Sequence, residues 1–212
     1  MKNKIYYLYK SLYKRFGHSP FSIKARNSLQ QRLRFKLLIN LIDLKRNDKI
    51  LDVGCGLGDL ANYLKNKKVK CKYLGLDFVE EFIHAANIKY GNKNTKFLKL
   101  NIEKNKFPKN YDWLVLSGLF NDKKKKAKKF MLSIIKKMFK SSKKGIVFNG
   151  LTKYVDYEDK ELFYSYPDQI LKFCIKNLSK YVVLKTNYQL KKNIIPFEYS
   201  IAVFKVKNEN KD

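Results

Sequence analysis

Lys49-Ile50-Leu51-Asp52-Val53-Gly54-Cys55-Gly56-Leu57-Gly58-Asp59 reads as a buried strand that ends in a glycine turn and opens a helix. Ile50, Leu51 and Val53 supply a β-leaning apolar run. Glycines at 54, 56 and 58 let the backbone turn tightly and approach a ligand with no Cβ in the way. Asp59-Leu60-Ala61-Asn62-Tyr63-Leu64 resumes at helical spacing, so the free N–H groups of that helix face back over the strand end. Such a seat suits a nucleotide. The next strand, Tyr73-Leu74-Gly75-Leu76-Asp77, ends in a carboxylate that follows Gly54 at the ~20-residue interval at which an acid meets a ribose hydroxyl pair. The glycines stand as G-x-G-x-G, whereas the dinucleotide fingerprint is G-x-G-x-x-G, so a pyrophosphate cradle is disfavoured.

Outward from this stretch, helical and strand patterns alternate and predict an α/β fold. Residues 4 to 16 place Ile5, Leu8, Tyr9, Leu12 and Phe16 at helical intervals with lysines between them, an amphipathic helix. It could be a lid, a helix packed on the body of the fold, or a basic helix on a membrane surface, the last being disfavoured. Gly17-His18-Ser19-Pro20 breaks it, and a second helix runs from Asn27 or Ser28 to about Asp43. After the glycine motif the pattern predicts a helix over 79–90, strands over 96–101 and 113–117, a helix over 123–140 and a strand over 145–149. A helix over 167–178 and an antiparallel pair over 181–188 and 197–206 complete the chain, with a frayed end from Lys207.

Leu51-Asp52-Val53-Gly54-Cys55-Gly56-Leu57-Gly58 followed by Leu74-Gly75-Leu76-Asp77 resembles the first two motifs of class I S-adenosylmethionine-dependent methyltransferases. The resemblance implies a Rossmann-like sheet of seven strands, mostly parallel with the last strand antiparallel, and helices on both faces. An N-terminal helical extension or lid over residues 1–26 would precede a methyltransferase domain over 27–206, with 207–212 as a disordered tail. It implies S-adenosylmethionine as cofactor, with Gly54, Cys55, Gly56 and Gly58 beside its methionyl part. Asp77 would hold both ribose hydroxyls, Phe78 would touch adenine, and Asp52 would lie near the amino end. Asn101, with Ile102 beside it, ends the third strand where relatives place an acid facing the adenine amino group; a side-chain amide both donates and accepts toward an adenine edge. The alternative for Asn101 is a turn residue opening a loop. Ser117 and Gly118 would line the sulfonium side through their backbones.

The resemblance extends further. Gln31-x-x-Arg34-Phe35, Ser117-Gly118-Leu119-Phe120-Asn121, Phe148-Asn149-Gly150-Leu151-Thr152, Tyr164-Ser165-Tyr166-Pro167 and Phe197-Glu198-Tyr199 together are similar to a poorly characterised bacterial subgroup of small methyltransferases. Within it Arg34 or Gln31 would reach the cofactor's carboxylate, an arginine task by geometry.

Methyl transfer is an in-line displacement, so the protein must align a nucleophile in a water-poor pocket and, for a hydroxyl acceptor, find a place for its proton. His18 and His84 are the only histidines. His84 shares a helix with Glu80 and Glu81 and reads as a surface residue. His18, in the break between the first two helices, is the candidate base by its ordinary pKa of ~6.5, against the plainer reading of an exposed loop residue. Asn121 could orient an acceptor. Tyr154, Tyr157, Phe163, Tyr164 and Tyr166 follow the fifth strand and either clasp a planar or sugar-like substrate or cover the sheet edge. The Asn-Pro-Pro-Tyr signature for exocyclic base amines is absent, which counts against DNA or RNA bases.

A chain of 212 residues suits one domain with a continuous core. Its cysteines, 55, 71 and 174, lie in no C-x-x-C pair, so neither a disulfide framework nor a metal site is expected, and a reducing cytoplasm is the natural setting. No run approaches the ~18 apolar residues of a membrane span, and the N-terminus lacks the apolar core of a signal peptide. The net charge of +29 draws phosphate, but it comes almost wholly from lysine, with arginine only at 15, 26, 32, 34 and 46. A solvated lysine surface is therefore favoured over a nucleic-acid face. The sequence points to a methyltransferase acting on a small-molecule acceptor, through a hydroxyl, in surface-glycan or secondary metabolism. An RNA methyltransferase and a non-catalytic cofactor-binding partner protein are the alternatives.

Overall fold

The computed structural model describes residues 2–25, 27–191 and 195–205; the tail expected over 207–212 lies outside them. Helix α1 (Lys2–Phe16), a 3-10 turn (Pro20–Ile23) and α2 (Ser28–Asn40) precede β1 (Lys49–Val53), α3 (Asp59–Asn66), β2 (Lys72–Asp77), α4 (Glu80–Tyr90) and β3 (Thr95–Lys99). Then come β4 (Tyr111–Leu116), α5 (Ala127–Ser141), β5 (Ser142–Thr152), β6 (Tyr164–Ser165), α6 (Pro167–Asn177), β7 (Val182–Lys185) and β8 (Glu198–Phe204).

The sheet runs β3-β2-β1-β4-β5-β8-β7. β1 pairs parallel with β2 and β4, β3 with β2, and β5 with β4, while β8 lies antiparallel to both β5 and β7. This is the seven-stranded order with a reversed last strand that the sequence implies. The two-residue β6, paired to the end of β5, is an addition to it. Strand order reverses between β1 and β4, which opens a crevice at the C-terminal ends of the parallel strands.

Alternate residues of each central strand feed opposite faces. Leu51 and Val53 of β1, Leu114 and Leu116 of β4, and Ile146 and Phe148 of β5 pack with Met131, Ile134 and Ile135 of α5 and with Ile170 and Cys174 of α6. Their neighbours Ile50, Trp113, Val115 and Val147 pack on the other face with Phe35 and Leu38 of α2, Leu60 and Leu64 of α3, and Ile83 and Ala86 of α4. A third cluster seats α1: Tyr9 and Tyr13 meet the Phe82 ring edge to face at centroid separations of 5.9 and 5.8 Å.

Several boundaries differ from the sequence reading: α2 ends at Asn40 and not near Asp43, β3 ends at Lys99 and not at Asn101, β4 starts at Tyr111 and not at Trp113, and β7 fills only Val182–Lys185 of the expected 181–188. The helix expected from residue 123 begins at Ala127, with Lys126 in the left-handed region (φ 62°), because Lys123 to Lys126 have no apolar stripe to bury; Lys123 N donates instead to the Glu161 carbonyl (3.2 Å). The fifth strand is longer than 145–149 because β8 pairs along it from Gly145 to Leu151.

In β2, a Cβ on the buried Gly75 would sit 2.6 Å from Phe97 Cδ1 and 2.8 Å from Cys55 Sγ. Gly75→Ala therefore overpacks the core beneath the glycine turn. We expect a destabilisation of ~1–3 kcal/mol in urea titrations; an unchanged midpoint would show that Phe97 yields without strain.

Candidate active site

The C-terminal ends of β1 to β5 converge on a cavity of about 470 Å³, floored by Asp52, Gly54, Cys55 and Gly56 of the glycine turn and walled by α1, α2 and the 155–164 segment. Gly54, Gly56 and Gly58 all have positive φ (79°, 52° and 83°), the region open to glycine at no steric penalty. Gly58 caps α3, and a Cβ on Gly54 would meet Leu119 Cδ1 at 2.9 Å, so the turn lies tight against the end of β4.

Two buried acids stand at the strand ends. Asp77 accepts hydrogen bonds from Gly56 N (3.0 Å, to Oδ2) and Val79 N (2.9 Å, to Oδ1), which staple the glycine turn to the end of β2. Burial raises its pKa, and the surrounding backbone N–H groups oppose that rise. Asp52 accepts a 2.5 Å hydrogen bond from the Tyr73 hydroxyl. Burial pushes Asp52 up to about 7, the Tyr73 bond pulls the other way, and the charges of Asp77 and Asp59 add to the rise. In a chain of net charge +29 the floor of the cavity is thus locally acidic.

Asn101 and Ile102 line the cavity at the end of β3. The Asn101 side-chain oxygen Oδ1 accepts from Glu103 N and Lys104 N (3.1 and 3.2 Å), a turn geometry that leaves the side-chain N–H groups for a ligand. Phe78 also lines the cavity, beneath Tyr6 and Tyr9 of α1. Ser117 and Gly118, just after β4, line the cavity. Gly118 N donates to Asn149 Oδ1 (2.8 Å) and its carbonyl accepts from Asn121 N (3.2 Å), so Gly118 shapes the site with its backbone groups already engaged. Asn121 Oδ1 is buried with no hydrogen-bond partner, alone in this among the buried side-chain polar atoms of the described residues.

Arg34 reaches the cavity from α2, held side-on by the buried Glu198 of β8: Nε lies 2.8 and 3.0 Å from the two carboxylate oxygens and Nη2 2.5 Å from Oε1. Gln31, one turn earlier, donates to Asp59 (3.3 Å).

Helix α1 lies over the cavity, with Ile5 and Tyr9 among its walls. Two carboxylates hold this cover: Asp122, in the loop after β4, accepts from the Tyr9 hydroxyl (2.7 Å) and pairs with Lys24 Nζ (2.7 Å), and Glu81 of α4 accepts from the Tyr6 hydroxyl (3.1 Å) and pairs with Lys10 Nζ (2.7 Å). Burial, reinforced by Asp122, raises the Tyr9 pKa well above its usual range. Lys124 also lines the cavity, with Nζ over the Phe130 ring and 3.8 Å from Glu103; burial lowers it to about 8.

Three expected site residues are not among those lining the cavity. Gly58 sits at the cap of α3. His18 faces Asp59 (3.5 Å) and the Tyr90 hydroxyl (3.4 Å), so it braces the segment after α1 against α3 and α4. Tyr154 is exposed, donates to Asp168 (2.8 Å) and leans on Tyr166. Of the aromatic group, Tyr157 and Tyr164 line the cavity, and Phe163 packs against the core. Tyr9, Lys24, Asp122 and Lys124 were missed; the lone acid ahead of the run Lys123-Lys124-Lys125-Lys126 was the one available signal.

Fold, strand-end acids and glycine turn together define a class I S-adenosylmethionine-dependent methyltransferase. Residues 44–170 match the family profile described as a methyltransferase domain, and the chain belongs to that family. Its relatives include Rv1506c of Mycobacterium tuberculosis, a provisionally named methyltransferase, 31% identical over 163 residues that cover 74% of this chain and 92% of the relative. A SAM-dependent methyltransferase from Leishmania major superposes with a TM-score of 0.70 at 13% identity, covering 96% of this chain and 82% of that one. The magnesium protoporphyrin IX methyltransferase of Synechocystis, solved with bound SAH, superposes with a TM-score of 0.61 at 12% identity, covering 84% and 83%.

Proposed function

We propose that the protein binds S-adenosylmethionine on the acidic floor of the cavity and methylates a small, uncharged acceptor that enters beside Asn121. The observation that carries the reading is the pair of buried acids, Asp52 and Asp77, on the rim of a turn of three positive-φ glycines. The residues fit the group. Asp77 lines the cavity, and the lone pairs of its carboxylate beyond those engaged by backbone N–H groups would accept ribose hydroxyls. Asp52 offers negative charge to an ammonium group, Arg34 retains N–H donors for a carboxylate, and Asn101 retains its amide N–H groups for an adenine edge. A volume of about 470 Å³ is in the usual range for a ligand of that size. When bound, the cofactor supplies an electrophilic methyl group on a sulfonium.

The protein's own share is alignment and dryness. Asn121 Oδ1 would accept the O–H or N–H of an acceptor, which would complete the buried oxygen. Lys124, three residues on from Asn121 and lining the same cavity, would take the proton of a hydroxyl; burial lowers its pKa to about 8. Tyr157, Tyr164, Leu151 and Phe197 form apolar and aromatic walls around that end, and α1 covers it as a lid fastened through Asp122.

The cationic residues lining the cavity favour an uncharged acceptor over RNA. Both lysines face a carboxylate, Lys24 paired with Asp122 and Lys124 3.8 Å from Glu103, while Arg34, paired with Glu198, turns its remaining donors to the donor's own carboxylate in this reading. Phosphate recognition would need cationic charge to spare at this rim. Incubation with methyl-labelled S-adenosylmethionine and cell extract should put label into the low-molecular-mass fraction. Label in RNA would turn the assignment to the nucleic-acid alternative, and absence of donor binding by calorimetry would remove the donor itself.

A further inference from the structure

Five separated segments meet in one layer behind the cavity: the stretches around Arg34, Gly118, Asn149, Ser165 and Glu198. Glu198 has a fully buried side chain and lies 164 residues from Arg34. Its Oε1 receives Arg34 Nε and Nη2, and its Oε2 receives Arg34 Nε and Asn149 Nδ2 (2.9 Å). The other end of the Asn149 amide accepts from Gly118 N (2.8 Å), which fixes the turn that presents Asn121. Beside Glu198, the buried Tyr199 hydroxyl bonds Ser165 Oγ at 2.6 Å. The layer is therefore charge-paired and hydrogen-bonded from α2 through β8 and β5 to the end of β4.

A guanidinium has five N–H donors, and Glu198 engages those on Nε and one on Nη2. The rest stay on a side chain that lines the cavity and is held in a single orientation. Bidentate recognition of a carboxylate depends on such a fixed fork, and a lysine, a point charge on a flexible stem, cannot reproduce it.

We propose that Glu198 is a positioning residue: it orients the Arg34 guanidinium so that the remaining N–H donors clamp the carboxylate of the methyl donor's amino-acid arm. This rests on the donor reading above. Asn149 braces the second carboxylate oxygen, so the clamp and the strand-end turn carrying Asn121 share one frame.

The test compares two ligands that differ in the amino-acid arm: S-adenosylhomocysteine, which has the carboxylate, and 5′-methylthioadenosine, which lacks it. In calorimetric titrations Glu198→Gln should weaken S-adenosylhomocysteine at least tenfold and 5′-methylthioadenosine less than threefold. Arg34→Lys, which keeps the charge and can still pair with Glu198, should show the same split and guards against a folding failure of the first variant. Equal losses for both ligands in Arg34→Lys would reveal a merely structural role and overturn the proposal, as would unchanged S-adenosylhomocysteine affinity. Wild-type protein that binds neither ligand would instead overturn the donor reading.

Discussion

Replacing Asp77 by Ala should weaken S-adenosylhomocysteine binding by about ten- to a hundredfold, the equivalent of the ~1.5–3 kcal/mol that charge-assisted hydrogen bonds contribute. The carboxylate has two tasks. In the free protein it accepts from Gly56 N and Val79 N, holding the glycine turn against the end of β2. Its remaining lone pairs face the cavity, where ribose hydroxyls would complete them. Asp77→Asn distinguishes the two tasks. The amide keeps the shape and one acceptor, but it turns an NH₂ group toward one of the backbone donors or toward the ribose. We therefore expect Asn to lose most of the affinity while retaining most of the thermal stability. Calorimetry and melting curves on both variants check this. Affinity kept within threefold in Asp77→Ala would mean that the ribose lies elsewhere.

Asp52→Asn should stabilise the ligand-free protein above neutral pH and weaken donor binding. The wild-type carboxyl is pushed up to about 7 by burial, then by Asp77 and Asp59, against the Tyr73 hydrogen bond. An acid whose pKa is higher folded than unfolded contributes stability that is complete below the unfolded value and is lost as pH rises through the folded one. Here the window runs from the ordinary 3.8 to about 7, and roughly three pKa units correspond to ~4 kcal/mol as an order of magnitude. The Asn variant carries no such charge. Its melting temperature should exceed that of wild type at pH 8, with the advantage shrinking toward pH 4. Donor binding reverses the preference, because an ammonium beside Asp52 favours the ionised form. Binding near pH 7 should therefore release a proton, so the calorimetric enthalpy in wild type should depend on the ionisation enthalpy of the buffer, and in the variant should not. Parallel melting profiles for the two proteins from pH 4 to 8 would refute the buried-charge account.

The part of this site that could be read from the chain is the part that is local. Ile50 and Leu51 alternate between the two faces of the sheet, the three glycines take positive φ, and Asp77 reaches the turn from the adjacent strand end. All of that follows from period, turn chemistry and a short crossover. The remainder depends on contacts across long separations. Tyr9 finds Asp122 across 113 residues and Arg34 finds Glu198 across 164, distances at which no periodicity operates. Lys124 was indistinguishable from the lysines around it, since only the late start of α5 carries it over the cavity. His18 shows the converse. Its chemistry suited a base, yet the packing of α1 on α4 sets the following loop against Asp59 and Tyr90.

Strand β8 slots between β5 and β7, and its first residue, Glu198, holds Arg34 of α2. A ribosome releases the glycine turn, both strand-end acids and Arg34 well before it releases that strand. The nascent chain thus holds Arg34, the glycine turn and both strand-end acids before Glu198 is there to brace the guanidinium. Under the clamp proposed above, competence to grip the donor's carboxylate would arrive only when the final antiparallel strand docks beside β5. The reversed strand would then serve as a completion check, coupling donor binding to a chain synthesised through β8.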